Sequence, residues 1–368
     1  MAKALIVGGG AIGRGFLPWE LQNLRFDLLD VSENLTSGIS LQGGYSSYMT
    51  TDGKLERRIF HPDICTSEPD DLDFDSYVVA FIAVGPRNCS KLPAALARLN
   101  CPIYSVENDP DSVRIIAKIL NSSQVLFGVP DVITSSTSSP ENLARDKYAL
   151  HTENGKLFLE HSDTFTNGLR EFLPDVVWAS RSEMMREWNA KLYLHNTPHC
   201  VAAYLGYLKG KTYLHEGFDD SFVIRVIEGV IEEMILTLKR EAELDHKFLE
   251  EYADKELRRF SNSLLFDPIL RVAREPLRKL ATGGRLTGAL SKAMLAGVQP
   301  VYLNLGIAAA FNYRETSDPD YQAMSQLDDI GISNFLRYFL DISPNAMESK
   351  FMVANYLDSI SYLREALQ

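Results

Sequence analysis

The sequence predicts an α/β protein with two domains: a parallel sheet covered by helices over residues 1–180, then a mostly α-helical domain over residues 181–368. Short apolar runs alternate with amphipathic stretches in the first half, and such alternation is typical of βαβ units. After Ser182 the apolar residues recur with the 3.6-residue period of helices. A length of 368 residues is enough for two domains with separate cores.

The elements of the first domain follow from its apolar runs. We expect strands over residues 3–8, 26–30, 77–85 and 102–106, and helices over residues 12–22 and 93–99. Hairpins are expected over residues 45–60 and 147–161, because Asp52-Gly53 and Asn154-Gly155 suit tight turns. These hairpins would add antiparallel strands to a parallel sheet.

The second domain is predicted to consist almost entirely of helices. Their apolar periodicity places them over residues 183–195, 198–209, 219–242, 246–260, 288–296, 319–340 and 346–367.

Composition excludes several classes of partner. Lys and Arg number 37 against 49 Asp and Glu, and the net charge of −12 opposes binding to nucleic acid or to an anionic membrane surface. No apolar run approaches the roughly 18 residues that span a bilayer. The four cysteines show no CxxC spacing, so we expect reduced thiols in a cytoplasmic protein without structural zinc. Both a monomer and a small homo-oligomer remain open.

A glycine-rich turn follows the first predicted strand. Gly8-Gly9-Gly10-Ala11-Ile12-Gly13 matches G-x-G-x-x-G in the required strand–turn–helix context. In that motif the first glycine permits a tight turn, the second lets the backbone approach a pyrophosphate, and the third lets the helix pack on the sheet. We therefore expect Gly8, Gly10, Ala11, Ile12 and Gly13 to hold a dinucleotide, which makes the first domain a Rossmann-type dinucleotide-binding domain.

Three further segments end strands at the same edge of the predicted sheet. A carboxylate at Asp30, after the second strand, would bond the adenosine ribose diol and repel a 2′-phosphate, which favours NAD over NADP. Val84-Gly85-Pro86 would let the chain pass close to the cofactor, although an ordinary loop explains it equally well. Asn108, after a further strand, is expected to face the same crevice.

Three polar residues open the second domain. Lys191, Asn196 and His199 lie around a predicted helix junction at which Thr197 caps a new helix. Hydride transfer from an alcohol needs a base for the hydroxyl proton and donors for the developing oxyanion. Lys191 as base, Asn196 and Asn108 as donors and His199 as the group that orients the hydroxyl meet these needs without a metal. Polar caps and a lysine that reaches solvent explain the same spacing, so both interpretations stay open.

A basic segment follows in the second domain. Residues 271–285 contain five basic residues and one acidic residue in an otherwise acidic chain. Guanidinium groups and backbone N–H groups near glycines suit a small phosphate, so we expect Arg274, Arg278, Lys279 and Arg285 to hold one. Salt bridges to the abundant carboxylates are an equally good explanation.

Several motifs occur together in the order found in one family. They are GGGAIGRGF at 8–16, AVGP at 83–86, Glu107-Asn108, KLYLHNTPHCVAAYLG at 191–206, REPLRKL at 274–280 and GIAAA at 306–310. Over nearly its whole length the chain resembles the polyol-specific long-chain dehydrogenases, and the Lys-x4-Asn-x2-His spacing is the most diagnostic part. The resemblance implies an NAD-dependent, zinc-independent interconversion of mannitol 1-phosphate and fructose 6-phosphate. It also implies Lys191 as general base, Asn108 and Asn196 as oxyanion donors and His199 as the orienting histidine.

Other functions remain open on the sequence alone. The substrate of the same family could be an unphosphorylated hexitol or a uronate. Dehydrogenases of 6-phosphogluconate and of β-hydroxy acids also join a Rossmann-type domain to helices and use a lysine and an asparagine. A redox sensor that binds NAD(H) without turnover would leave the Lys–Asn–His set unexplained.

Overall fold

The chain forms two compact units. The computed structural model describes residues 2–51, 53–107, 109–240 and 245–367. Contacts group the residues up to Trp188 with Leu264–Phe266 as the first unit, and Asn189–Ser263 with the residues from Asp267 onward as the second. The expected boundary near residue 180 stays a prediction.

The first unit contains the strands. Within the described ranges they are β1 Lys3–Val7, β2 Arg25–Leu29, β3 Tyr45–Thr51, β4 Lys54–Phe60, β5 Cys65–Thr66, β6 Tyr77–Ile82, β7 Ile103–Ser105, β8 Val125–Asp131, β9 Thr134–Ser135, β10 Leu150–Glu153, β11 Lys156–Glu160 and β12 Val177–Ala179.

Eight of the described strands form one sheet in the order β12-β11-β8-β7-β6-β1-β2-β5. The neighbours from β5 to β8 are all parallel, whereas β11 runs antiparallel to β8. Successive β1 residues pack on opposite faces: Ile6 joins one apolar cluster, whereas Leu5 and Val7 join another. Burial on both faces requires the continuous apolar runs read from the sequence. The α/β fold class with a Rossmann-type sheet is therefore confirmed.

The two expected hairpins have different outcomes. β3 and β4 pair antiparallel, which confirms the hairpin over residues 45–60, although Asp52 in its turn lies outside the described residues. The prediction of a hairpin over residues 147–161 is wrong. β10 joins β3 and β9 in a four-stranded sheet, and β11 joins β8 and β12 in the large one. Asn154 donates its N–H to Thr50 O at 2.9 Å, so Asn154-Gly155 is a corner where the chain changes sheets.

Helices cover the rest. In the described ranges the α-helices are Leu17–Glu20, Glu33–Gln42, Asp111–Leu120, Pro140–Arg145, Arg181–Ala190, Thr197–Leu208, Ser221–Leu238, His246–Phe260, Ile269–Ala273, Pro276–Leu280, Thr287–Leu295, Val301–Phe311, Tyr321–Ser325, Leu327–Ile330, Ile332–Phe339 and Met347–Ala366. Short 3₁₀-helices are Pro69–Asp71, Phe74–Ser76, Pro86–Lys91, Ala94–Arg98, Leu169–Glu171 and Leu214–Asp219, and π-helical turns span Ala11–Phe16 and Lys191–Asn196.

Some predicted helices are shorter or broken. The stretch 93–99 is only a 3₁₀ segment, and the stretch 319–340 is three short helices. Gly331, with φ of +76°, separates the last two of these because a left-handed residue ends a helix.

The second unit is built around the buried helix Val301–Phe311. It packs on Thr197–Leu208, Ser221–Leu238 and Met347–Ala366. A Cβ at Gly306 would lie 2.4 Å from Val201, so glycine is needed for the close helix approach. Among the described helices none is long and apolar enough to cross a bilayer.

Candidate active site

The glycine turn lies where the strand order of the large sheet reverses, between β2 and β6. A Cβ at Gly8 would lie 2.3 Å from the carbonyl oxygen of Ala83, just after β6, and the φ of Gly8 is +105°. The close carbonyl oxygen and the positive φ each require glycine at position 8. Gly8 N–H donates to Leu29 O at 2.8 Å, at the end of β2. Ligands of open α/β sheets bind at this kind of switch point, outside the carboxyl ends of the strands.

The other glycines of the motif differ in what surrounds them. A Cβ at Gly13 would lie 1.9 Å from Gly8 O, so the first helix packs directly on the turn. A Cβ at Gly10 would meet no atom within 4 Å. The protein's own packing therefore does not require glycine at position 10, whereas close approach of a pyrophosphate does. Ala11 and Ile12 follow as the first residues of the helical turn Ala11–Phe16.

Asp30 lies beside this turn. Its Oδ2 accepts the N–H of Gly9 at 2.6 Å and its Oδ1 accepts the N–H of Ser32 at 2.8 Å. An ionised carboxylate has further lone pairs, so these bonds leave capacity for a ribose hydroxyl. The residues of the turn thus fit the diphosphate and ribose of a dinucleotide.

The loop after β6 is held by a carboxylate to which the sequence analysis assigned no role. Glu107 Oε1 accepts the N–H groups of Val84 at 2.7 Å and Gly85 at 2.9 Å, and Pro86 follows as the first residue of a 3₁₀ turn. Burial raises the pKa of Glu107 to about 7, although the two N–H groups oppose that shift. Asn108, the other predicted oxyanion donor, lies outside the described residues.

Arg14 is a second residue whose role became visible only in the fold. Its guanidinium is buried, donates to Gly9 O at 2.9 Å and also donates to Tyr148 O. Burial lowers the pKa of Arg14, although several groups, Tyr45 first among them, oppose the shift. A buried arginine with two carbonyl acceptors fixes the backbone of the glycine turn at Gly9 and ties it to Tyr148.

In the second unit, Lys191 and Asn196 belong to one π-helical turn. The helix Arg181–Ala190 runs into this turn and then into Thr197–Leu208 without a break. The expected junction capped by Thr197 is wrong, because Thr197 is itself helical and its N–H donates to Leu192 O five residues back. Its hydroxyl lies 3.0 Å from the same oxygen and 2.9 Å from Arg285 O.

The π turn changes which residues share a face. At about 100° per residue, an unbroken α-helix would place Asn196 about 140° and His199 about 80° away from Lys191. Bonds of the i→i+5 type absorb about one residue, and this brings both side chains to within about 40° of Lys191. All three side chains are buried. The π turn therefore accounts for the grouping of Lys191, Asn196 and His199, which the sequence analysis attributed to a junction between two helices.

His199 lies against a carboxylate. Its Nε2 is 3.2 Å from Asp267 Oδ2, while Asp267 Oδ1 accepts Arg271 Nε at 2.7 Å. Burial lowers the pKa of His199, and Asp267 only partly offsets that shift. Burial would raise the pKa of Asp267, but Arg271 and His199 hold it below its usual value. Near pH 7 the pair is therefore a neutral imidazole beside a carboxylate, and such an imidazole is able to orient a hydroxyl.

The basic segment is anchored by two aspartates. Asp318 accepts the N–H of Glu275 at 3.0 Å and Asp320 accepts that of Leu277 at 3.0 Å. Glu275 has φ of +58°, a left-handed conformation that these bonds help to hold.

The predicted phosphate ligands lie in different environments. Arg274 and Arg278 are exposed, and Arg278 Nε lies 3.3 Å from Glu275. Arg285 is half-buried. Lys279 is only 2% exposed and its ammonium donates to Arg274 O, so it supports the backbone of the segment. Burial lowers the pKa of Lys279 to about 7.

The described residues contain no group of three or more His, Cys, Asp or Glu side chains arranged to hold a metal ion.

Residues 187–362 match the family model of the mannitol dehydrogenase C-terminal domain. This segment belongs to the mannitol dehydrogenase family. It carries the Lys191, Asn196 and His199 face and the whole basic segment.

Curated relatives extend the similarity across the chain. A mannitol-1-phosphate 5-dehydrogenase of Exiguobacterium sp. is 28% identical over 386 aligned positions, which cover 99% of this chain and 98% of the relative. The enzyme of the same name from Caldanaerobacter subterraneus is 27% identical and covers 86% of this chain and 88% of its own. The resemblance to polyol dehydrogenases is confirmed.

Solved structures share the fold. The Pseudomonas fluorescens mannitol 2-dehydrogenase, solved as a ternary complex with NAD and D-mannitol, has a TM-score of 0.77 at 18% identity and covers 100% of this chain and 92% of its own. A substrate-free D-sorbitol dehydrogenase has a TM-score of 0.70 at 15% identity, with 99% and 94% coverage. At these identities the likeness establishes the α/β architecture.

Proposed function

We propose that this protein is an NAD-dependent dehydrogenase that interconverts mannitol 1-phosphate and fructose 6-phosphate. The observation that carries the proposal is the π turn, which puts Lys191, Asn196 and His199 on one helix face within a mannitol dehydrogenase domain. The curated relatives aligned over most of the chain are mannitol-1-phosphate 5-dehydrogenases, and that name supports the phosphorylated substrate.

NAD would be held by the glycine turn. The open backbone at Gly10 and the helix start at Ala11, Ile12 and Gly13 suit the pyrophosphate, and Asp30 suits the ribose diol. The negative charge of Asp30 favours NAD over NADP. Bound NAD would supply the hydride acceptor for alcohol oxidation.

The residues of the second unit would handle the proton and the developing charge. Lys191 Nζ would take the hydroxyl proton as the carbinol C–H bond breaks, and would return it in the reverse direction. Asn196, together with Asn108, would donate amide N–H groups to the oxygen as it becomes negative. His199, kept neutral, would fix the hydroxyl's orientation. No step in this scheme needs a metal.

The substrate phosphate would be held by the basic segment. Guanidinium groups for its oxygens would come from Arg274, Arg278 and Arg285. Lys279 would hold the backbone of the segment through its bond to Arg274 O.

The test is reduced-nicotinamide absorbance with a panel of fructose 6-phosphate, fructose, mannitol 1-phosphate and mannitol, using NADH or NADPH for reduction and the oxidised forms for the reverse. We expect NADH-dependent reduction of fructose 6-phosphate, with kcat/KM for fructose lower by about 100-fold or more, since two charge-assisted phosphate contacts are lost. Equal rates with fructose would assign the unphosphorylated hexitol instead. No turnover of any member would refute the proposal.

A further inference from the structure

A buried carboxylate–histidine pair adjoins the π turn. Glu256, on the helix His246–Phe260, is fully buried, and its Oε2 lies 2.5 Å from His195 Nδ1. Its Oε1 lies 2.5 Å from a guanidinium nitrogen of Arg259 and 3.3 Å from Lys255 Nζ. A buried carboxylate is costly unless both oxygens are engaged, and here both are. An ionised carboxylate only accepts hydrogen bonds, so the donor in this pair is assigned to Nδ1 of His195.

His195 occupies a position from which it can control the turn. It follows Lys191 by four residues, directly precedes Asn196 and is itself part of the π turn. Its ring lies 5.1 Å from that of His199, and both rings pack on Phe260. The pair with Glu256 therefore attaches the turn to a neighbouring helix.

The π turn itself needs such external support. An i→i+5 turn is a rare conformation beside the α-helix and persists only where its surroundings hold it. The bonds of Thr197 to Leu192 O and Arg285 O hold the end of the turn. The pair between His195 and Glu256 holds the turn at the fifth of its six residues. Relaxation to an α-helix would rotate Asn196 and His199 away from Lys191 by about 100°, which is one residue of helix.

We propose that Glu256 and His195 form a positioning pair that holds the π turn, and with it the mutual alignment of Lys191, Asn196 and His199. This inference rests on the proposed dehydrogenase function and names residues that act through others. Neither residue needs to touch the substrate.

Glu256→Gln tests the carboxylate. An amide oxygen can accept from His195 or from Arg259, but the amide nitrogen cannot accept from the other, so one bond is lost. We expect kcat to fall by about tenfold or more, as for partners of other catalytic groups, with the NADH dissociation constant within about twofold of wild type. Glu250→Gln is the matched control, since Glu250 lies on the same helix with an exposed partner in His246.

His195 variants separate positioning from general stability. In His195→Asn the amide Nδ2 takes the place of the ring Nδ1 and still donates to Glu256, whereas His195→Leu cannot donate. We expect His195→Asn to retain at least about a third of wild-type kcat, and His195→Leu to fall with Glu256→Gln by about tenfold. This pair leaves Glu256 in place and remains informative if Glu256→Gln does not fold.

The outcomes separate the two proposals. Wild-type turnover with equal kcat in His195→Leu, His195→Asn and Glu250→Gln would overturn the positioning pair and leave the dehydrogenase intact. Loss of kcat in His195→Asn as deep as in His195→Leu would also overturn it, because the hydrogen bond would not be the cause. Wild-type protein without turnover on any polyol or ketose phosphate would refute the proposed function itself.

Discussion

At the scale of single residues, the proposed chemistry depends on groups that burial has removed from their ordinary environment. Burial has removed three polar side chains from water: Lys191, Asn196 and His199. The chain as a whole has a net charge of −12. Burial holds His199 neutral beside an ionised Asp267, so an acceptor for a substrate hydroxyl is retained near pH 7. The residue types were readable from the sequence, whereas the carboxylates that support them were not.

Lys191→Ala should lower kcat by about 100-fold to 10,000-fold, because the proton acceptor is removed. NADH binding should remain within about twofold, since the glycine turn is unchanged. The measurement is steady-state turnover of fructose 6-phosphate with NADH fluorescence titration, and Lys350→Ala, an exposed helical lysine, is the control. Unimpaired turnover in Lys191→Ala would remove the proposed base.

Arg278→Gln should act on the phosphate alone. Loss of one charge-assisted contact is expected to raise KM for fructose 6-phosphate by about tenfold or more, while the low activity with fructose stays the same. Arg225→Gln, an exposed arginine on the helix Ser221–Leu238, controls for loss of a positive charge. A parallel change with both substrates would place Arg278 outside the phosphate site.

At the scale of elements, two turns decide the proposed function. The glycine turn was predictable because two of its glycines meet a backbone requirement: Gly8 has a positive φ, and Gly13 lies in close contact with Gly8. The π turn was not predicted, because residues 183–195 and 198–209 were interpreted as two helices, and Pro198 suits the first turn of a new helix as well as it suits a continuous helix after a π turn. The sequence therefore placed Lys191, Asn196 and His199 together for the wrong reason.

The hairpin at Asn154-Gly155 failed for a related reason. A dipeptide that suits a tight turn also suits a corner, and local sequence does not tell which sheet each strand joins. The outcome was decided by partners distant in sequence, with β3 pairing to β10 and β8 to β11.

Gly10→Ala and Gly13→Ala form a matched pair for the glycine turn. A methyl group at position 10 meets nothing within 4 Å, so its melting temperature should stay within about 2 °C of wild type while the NADH dissociation constant rises by about tenfold or more. A methyl group at position 13 would lie 1.9 Å from Gly8 O, so that variant should lose both stability and binding. Unchanged NADH binding in Gly10→Ala would indicate an ordinary turn.

At the scale of the whole molecule, the two units were predictable from the sequence to different extents. The parallel sheet of the first was predictable from continuous apolar strands, and the fold class followed. The helical second unit was predictable in outline, but its central helix Val301–Phe311 is apolar on all sides and carries no amphipathic signal for its neighbours. Its packing depends on polar details such as Glu233, whose carboxylate accepts the N–H groups of Tyr302 and Leu303.

Glu233 makes global stability depend on pH. Burial raises its pKa to about 7 from an ordinary value of 4.5, although backbone N–H groups oppose the shift. A group with a raised folded pKa contributes stability that is complete below pH 4.5 and is lost as the pH rises through 7. Relative to wild type, Glu233→Gln should therefore gain on the order of 2 kcal/mol between pH 5 and pH 8.

Urea unfolding at these two pH values measures that difference, with Glu228→Gln, an exposed residue of the same helix, as control. The same offset from wild type at both pH values in Glu233→Gln would show that the carboxyl titrates normally.

The most direct test of the proposed function follows hydride from cofactor to sugar. NADH deuterated at the transferable C4 position is incubated with fructose 6-phosphate, and the hexitol phosphate is analysed by mass spectrometry. We predict one carbon-bound deuterium per product molecule with wild-type protein, and a rate of labelled product at least about 100-fold lower with Lys191→Ala. Unlabelled hexitol phosphate from the wild type, or no hexitol phosphate at all, would contradict hydride transfer by this protein.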